Sequence, residues 1–280
     1  NINAWKSQSG EGFVKAKHED ANCDGSCDFC GLQYGYYINS SLKTTYVTNW
    51  HPGTGDGKGI LEDNIIELGT GWYFALNNIT INNRVEIKGN VNIVLGDNIT
   101  ITFNKGILLT NGNTMSIYSQ SISESTMGKL YVNSTTQDAA IGSNYSTTPL
   151  ACGTLNVYGG NVFVNSTLGV AFGGGNGNGC QGGNGGNLNV NYGILELQGV
   201  FAVGGGNGTV RGNSGNLTTA TTMKIFDKDG IAITNSSDAN ELKYIKIYHV
   251  HGAWQYSVND NTITATCAYN DKSASLTASI

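Results

Sequence analysis

Gly153-Thr154-Leu155-Asn156-Val157 recurs as Gly186-Asn187-Leu188-Asn189-Val190, an offset of 33 residues. The match runs on: Gly160 corresponds to Gly193, Val162 to Leu195 and Val164 to Leu197. Gly169-Val170-Ala171-Phe172-Gly173-Gly174-Gly175 then matches Val200-Phe201-Ala202-Val203-Gly204-Gly205-Gly206 at an offset of 31, and Gly215-Asn216-Leu217 opens a third copy 29 residues after Gly186. A weaker, earlier copy opens at Gly128-Lys129-Leu130-Tyr131-Val132 and reaches Ala140-Ile141-Gly142. Inside each copy apolar residues alternate with polar ones, which is the period of a strand. From one strand to the next the interval is often only six to eight residues, too short to hold the helix that a βαβ crossover needs. Units repeated at such a period stack, each burying its apolar side against the next. The sequence therefore predicts an all-β fold, a solenoid of stacked coils.

Working outward, the same alternation appears upstream at Ile65–Leu68, Ile79–Ile81, Val85–Ile87, Val91–Leu95, Ile99–Phe103, Ile107–Leu109 and Met115–Tyr118. Asn, Asp and Gly separate these segments, as corners require. The solenoid is expected over 63–222. Residues 1–62 read as a small, irregular, cysteine-bearing module. Residues 223–280 read as a β-rich module or cap, with strands near Met223–Phe226, Ile231–Ile233, Tyr244–Tyr248, Tyr256–Val258, Thr262–Ala265 and Ala274–Thr277. Asp227-Lys228-Asp229-Gly230 reads as a hairpin turn, and a short helix fits near Ser237 to Leu242. A cap over the end of the core would suppress edge-to-edge aggregation.

Glycine, 40 of 280 residues, is densest between 171 and 215. Phe172, Phe201 and Val203 keep their places beside these glycines, so tight corners explain them better than an unordered linker does. Asn156 and Asn189 occupy equivalent positions and could form a ladder of stacked amides along the axis. Alternatively, they are asparagines on a polar strand face.

Composition excludes several classes. Charged residues are 12% and the net charge is -5, from 15 basic and 20 acidic residues. No basic stripe is present, so nucleic acid is not an expected partner. No apolar run is long enough to span a membrane as a helix. Gly53 to Gly59 is not a phosphate loop, because Lys58 is followed by Gly59 rather than Ser or Thr.

Chemistry-bearing residues concentrate in His18-Glu19-Asp20-Ala21-Asn22-Cys23-Asp24-Gly25-Ser26-Cys27-Asp28-Phe29-Cys30-Gly31. Asp20, Asn22 and Asp24 alternate ahead of Gly25, with Asp28 further on, like the first half of a calcium loop; the expected bidentate Glu is replaced by Gly31. The alternative is zinc on His18, Cys23, Cys27 and Cys30. The six cysteines, Cys23, Cys27, Cys30, Cys152, Cys180 and Cys267, are an even set of disulfide candidates. N-glycosylation sequons begin at Asn39, Asn78, Asn98, Asn133, Asn144, Asn165, Asn207, Asn216 and Asn235, although 35 asparagines supply most of these by chance. His249 and His251 are expected on one strand face. For glycans, Trp50, Trp72 and Tyr73 are the candidate stacking rings.

No catalytic constellation stands out. Sugar hydrolysis needs two carboxylates across a cleft, and the acids of the solenoid are scattered. Glu86 and Lys88 share a strand face, with Arg84 expected to join them as a surface ion cluster.

Three stretches resemble large surface proteins of anaerobic gut and rumen bacteria, called adhesin-like or carbohydrate-binding-domain-containing. They are residues 18–31, residues 85–120 with the glycine repeats that follow, and residues 251–267. The resemblance implies that the solenoid is a right-handed parallel β-helix, with an extracellular or cell-surface location and a role in display or attachment without catalysis. Partners would be host or environmental glycans, surface proteins, or copies of the chain itself. The alternatives are a carbohydrate-binding module, a subunit of a self-assembling glycoprotein fibre, and a polysaccharide lyase or hydrolase. A bound calcium or zinc would be structural.

Overall fold

The computed structural model describes residues 36–39, 43–47, 61–75, 77–250, 254–259, 262–267 and 273–277. From Glu67 to Thr219 the chain visits three parallel sheets in strict rotation. The first face holds Gly71–Phe74, Asn90–Leu95, Thr114–Ser119, Thr154–Val157, Asn187–Val190 and Asn216–Thr219. The second holds Ile79–Ile81, Thr100–Phe103, Lys129–Ser134, Asn161–Ser166 and Ile194–Gln198. The third holds Glu67–Leu68, Val85–Ile87, Ile107–Leu108, Ile141–Gly142, Phe172–Gly173 and Val203–Gly204. Each strand pairs with its counterpart one coil away, which makes the chain a solenoid-like repeat.

Alternation turns one side of every strand inward. Val91, Met115, Leu155, Leu188 and Leu217 form one column of register partners on the first face. Ile101, Leu130, Val162 and Leu195 form another on the second. These residues belong to one continuous core, and all except Val91 and Leu217 are fully enclosed. Each such aliphatic side chain contributes about 1.5–3 kcal/mol by leaving water. The offset between coils is 40 residues at Ser116–Asn156, 33 at Asn156–Asn189 and 29 at Asn187–Asn216. Register is kept because the length differences fall in the corners.

The glycine-rich corners are ordered and stacked. Gly174 donates to the Gly204 carbonyl at 3.0 Å, and Gly183 to that of Gly175 at 2.9 Å. Gly142, Gly173 and Gly204 are register partners on the third face. Gly173 has φ +149, and a Cβ there would collide with the Gly204 carbonyl. Phe172 and Val203 are buried beside them.

Beyond Thr219 the chain reverses its pairing. Tyr244–His249 runs antiparallel to Ile194–Gln198, placing Ile245 against Leu197 and Ile247 against Leu195. Met223–Phe226 adds to that strand, also antiparallel, and Ala232–Ile233 adds to Met223–Phe226. Gly230, at φ +78, turns the chain between them. A 3-10 helix, Ser236–Glu241, buries Ala239 and Asn240; the Asn235 side chain caps it by accepting from the Ser237 N–H at 3.2 Å. The second face is thus closed by an antiparallel strand, whereas the first face ends at Asn216–Thr219. Trp254–Asn259, Thr262–Cys267 and Ser273–Thr277 form a separate three-stranded antiparallel sheet.

Two sequence expectations are corrected. The strand expected at Ile65–Leu68 is only Glu67–Leu68, with Ile66 68% exposed. The early copy at Gly128–Val132 is out of phase with the later ones: Leu130 pairs with Val162 on the second face, not in the column of Leu155. Its Ala140-Ile141-Gly142 end is in the phase expected, with Ile141 beside Phe172.

Candidate functional site

The outward side of the first face carries two ladders of neutral side chains. Thr154, Asn187 and Asn216 are register partners in one, and Ser116, Asn156, Asn189 and Thr218 in the other. The Asn189 Nδ2 donates to Asn156 Oδ1 at 2.9 Å, and Asn156 Nδ2 to Ser116 Oγ at 3.1 Å. In the neighbouring ladder Asn216 Nδ2 donates to Asn187 Oδ1 at 2.9 Å, and Asn187 Nδ2 reaches Thr154 Oγ1 at 3.5 Å. In every rung the donor belongs to the later coil. The amide of each asparagine is therefore oriented by its neighbours rather than by solvent.

Where the ladders end, the 3-10 helix rises beside them. Ser236 and Ser237 form one wall of a groove of about 540 Å³ whose floor includes Asn187, Asn189, Asn216 and Thr218. None of the lining residues is charged or aromatic. The wall is held from behind. Buried Asn240 donates to the Ser237 carbonyl at 3.0 Å, and the Asn240 carbonyl accepts from Arg211 Nη2 at 2.6 Å.

The other half of the first face is aromatic. Trp72 stacks on Tyr37 with ring centroids 4.8 Å apart, and Tyr118 lies 5.1 Å from Trp72. Tyr37 belongs to the hairpin Tyr36–Ile38 and Thr44–Tyr46, so the hairpin lies over this patch. Phe74, Val94 and Val47 are buried beneath it. Tyr118 also stacks on Tyr158 at 4.9 Å. Burial, with Tyr158 and Tyr37 adding to it, pushes the Tyr118 hydroxyl up to about 12.

The chain's two arginines bind backbone at the ends of the glycine column. Arg84 donates to the carbonyls of Lys105, Ala139 and Gly142 at 3.2, 3.0 and 3.1 Å, and to Asn144 Oδ1 at 2.7 Å. Burial lowers its pKa, and the Asp138 carboxylate opposes that shift. Arg211 donates to the carbonyls of Gly205 and Asn240, pairs with Glu241 at 2.9 Å, and lies 3.5 Å over the Phe201 ring. Arg84 thus does not join the cluster expected of it. Lys88 pairs instead with Glu67 at 2.6 Å and reaches Glu86 at 3.7 Å.

The other residues singled out from sequence divide as follows. Tyr73 points into the core, 2% exposed, with its hydroxyl donating to the Gly69 carbonyl at 3.0 Å; it offers no ring face to a sugar, which corrects that expectation. Trp72 is half-buried against Tyr37. Cys152 and Cys180 carry free thiols, contrary to their reading as disulfide partners, and burial pushes the Cys152 thiol up. Cys267 closes the strand Thr262–Cys267. His18, Asp20, Asn22, Cys23, Asp24, Cys27, Asp28, Cys30, Trp50 and His251 lie outside the described residues. His249 is buried against Tyr192. Among the described residues no three of His, Cys, Asp and Glu cluster as metal ligands.

Of the sequon asparagines, several are built into the fold. Asn78 accepts from the Thr100 N–H, Asn144 from Arg84, and Asn235 caps the 3-10 helix. Asn216 is a rung of a ladder, and Asn39 bonds Thr45 within the hairpin. Asn98, at φ +60, is exposed on a turn; Asn165 is exposed beside Asn133, its register partner; Asn207 is half-buried.

Asn156 and Asn189 were legible as a ladder, because they recur at one offset. The groove was not, since Ser236 and Ser237 come from outside the repeat. Comparison of the chain with family models, with curated proteins and with solved structures finds no match.

Proposed function

We propose that the chain is a non-enzymatic structural or adhesin-like module displayed outside the cell, built on a right-handed parallel β-helix. Parallel strands joined by crossovers are overwhelmingly right-handed, which supports that hand. The observation that carries the functional reading is the pair of Asn/Thr/Ser ladders on an uninterrupted parallel face. They make a regular surface with few charges, whose side chains are already ordered. Such a surface suits attachment better than catalysis, which needs groups of unequal pKa converging on one point. Glu67 and Glu86 instead share Lys88, and Glu196 pairs with Lys246 at 2.6 Å on another face.

The resemblance of residues 18–31, 85–120 and 251–267 to surface proteins of anaerobic gut and rumen bacteria supports the same reading. No helix among the described residues is long and apolar enough to cross a membrane. The antiparallel strand Tyr244–His249 covers the end of the second face, which argues against fibres grown by continuing all three sheets from chain to chain. The reading is tested by labelling intact and permeabilised source cells with antibody to the chain. Labelling of intact cells is expected; labelling only after permeabilisation would overturn it.

A further inference from the structure

We infer that the groove between the two ladders and the Ser236–Ser237 wall is a binding site for an uncharged glycan chain. The inference rests on the surface-display reading only for where such a ligand is met.

Four observations carry it. The groove, about 540 Å³, is concave and lies on the outer side of the first face. Its floor and wall present side-chain amides and hydroxyls without a charged residue, so it offers nothing to a uronic acid, a phosphate or a basic peptide. The amides of Asn187, Asn189 and Asn216 are oriented beforehand by the ladders, and the backbone of the wall at Ser237 is held by Asn235 and Asn240. Binding would therefore order few side chains, and pre-organisation of this kind favours affinity. Finally, equivalent side chains recur along the axis at the spacing of adjacent strands, about 4.8 Å. A polymer of hydroxyl-bearing rings laid along the axis meets an amide or a hydroxyl at each coil.

A peptide strand could pair only with Asn216–Thr219, the last strand of the first face, and apart from Leu217 and the glycine the lining is Thr, Asn and Ser, which offers little to anchor apolar side chains. The rival sugar surface is the stacked pair Tyr131 and Phe163 on the second face, 4.9 Å between centroids. Each of those rings covers a face of the other, which leaves less ring surface for a sugar.

The test is a glycan array followed by calorimetry on the full chain, produced without glycosylation because Asn216 heads a sequon and lies in the groove. Ser237→Arg fills the groove from its wall without touching a ladder. Tyr131→Ala removes the rival surface. The expected result is binding to uncharged polysaccharides, weakened about tenfold or more by Ser237→Arg, with Tyr131→Ala without effect and the melting temperature of Ser237→Arg unchanged. Should Ser237→Arg alter folding, Thr218→Arg, on the exposed floor, replaces it with the same expected loss. No binding by the folded wild type, binding confined to acidic glycans, or loss with Tyr131→Ala but not with the groove variants would each overturn the site. The antibody test on intact cells is independent of all these outcomes.

Discussion

Asn189 donates its side-chain amide to Oδ1 of Asn156 at 2.9 Å, across 33 residues of sequence. Asn156 in turn donates to Ser116, 40 residues earlier. The bonds are partly exposed, so each contributes toward the lower part of the usual range of about 0.5–1.5 kcal/mol. Asn156→Ala removes both and should lower stability by about 1–2 kcal/mol in urea unfolding. Asn165→Ala, exposed on the second face, should change it by less than about 0.5 kcal/mol. Equal effects would mean that the ladder is incidental.

The third face makes a second demand. Gly173 and Gly112 both have positive φ, +149 and +88, but only Gly173 faces a neighbouring backbone carbonyl. Gly112→Ala should cost about 1 kcal/mol, from backbone conformation alone. Gly173→Ala adds the collision with Gly204 and should cost well over twice as much, read as the shift in urea midpoint at constant slope.

Arg84 ties three carbonyls and Asn144 together around one corner. Lysine keeps the charge but cannot present the planar fork. Arg84→Lys should therefore destabilise by about 1–2 kcal/mol, chiefly because the part-buried Ala139 carbonyl loses its donor, whereas that of Gly142 keeps the Leu109 N–H. A loss below about 0.5 kcal/mol would show that charge alone suffices.

Alkaline pH should probe the aromatic patch. The Tyr118 hydroxyl is held at about 12 in the folded chain, against an ordinary 10.0, chiefly by burial. A raised folded pKa means that its contribution is complete below pH 10 and is lost as pH rises from 10 toward 12. Tyr244, burial again leading and Glu196 beside it, is also held at about 12 and behaves alike. Stability measured by urea should fall across that window, and the fall should be shallower in Tyr118→Phe. An unchanged slope would show that the hairpin does not bury this ring.

The repeat was readable because burial fixes register: Leu155, Leu188 and Leu217 have to share one interior, and their spacing exposes it. The corner glycines were readable for a similar reason, since a side chain at Gly173 has nowhere to go. Which face a strand joins was harder to read. Lys129–Val132 has the same glycine-led alternation as Thr154–Val157, yet it lies on the second face. Period two reports a buried side without saying which sheet owns it. Arg84 departs from expectation because it precedes the strand Val85–Ile87, and its long side chain reaches the corners at Lys105 and at Ala139 to Asn144. The closing strand Tyr244–His249 read as β, but its antiparallel pairing with Ile194–Gln198 depends on a reversal that no local pattern encodes. The groove shares this fate, since one wall comes from the repeat and the other from the reversed segment.

The central claim is that consecutive coils share one interior in parallel register. Nuclear Overhauser spectra of leucine-methyl-labelled protein measure this directly. Cross-peaks from Leu155 to Leu188 and from Leu188 to Leu217 are expected, without close α-proton pairs between those strands. Methyls that see one another nowhere along this column, or α-proton contacts of the antiparallel kind between Thr154–Val157 and Asn187–Val190, would contradict it.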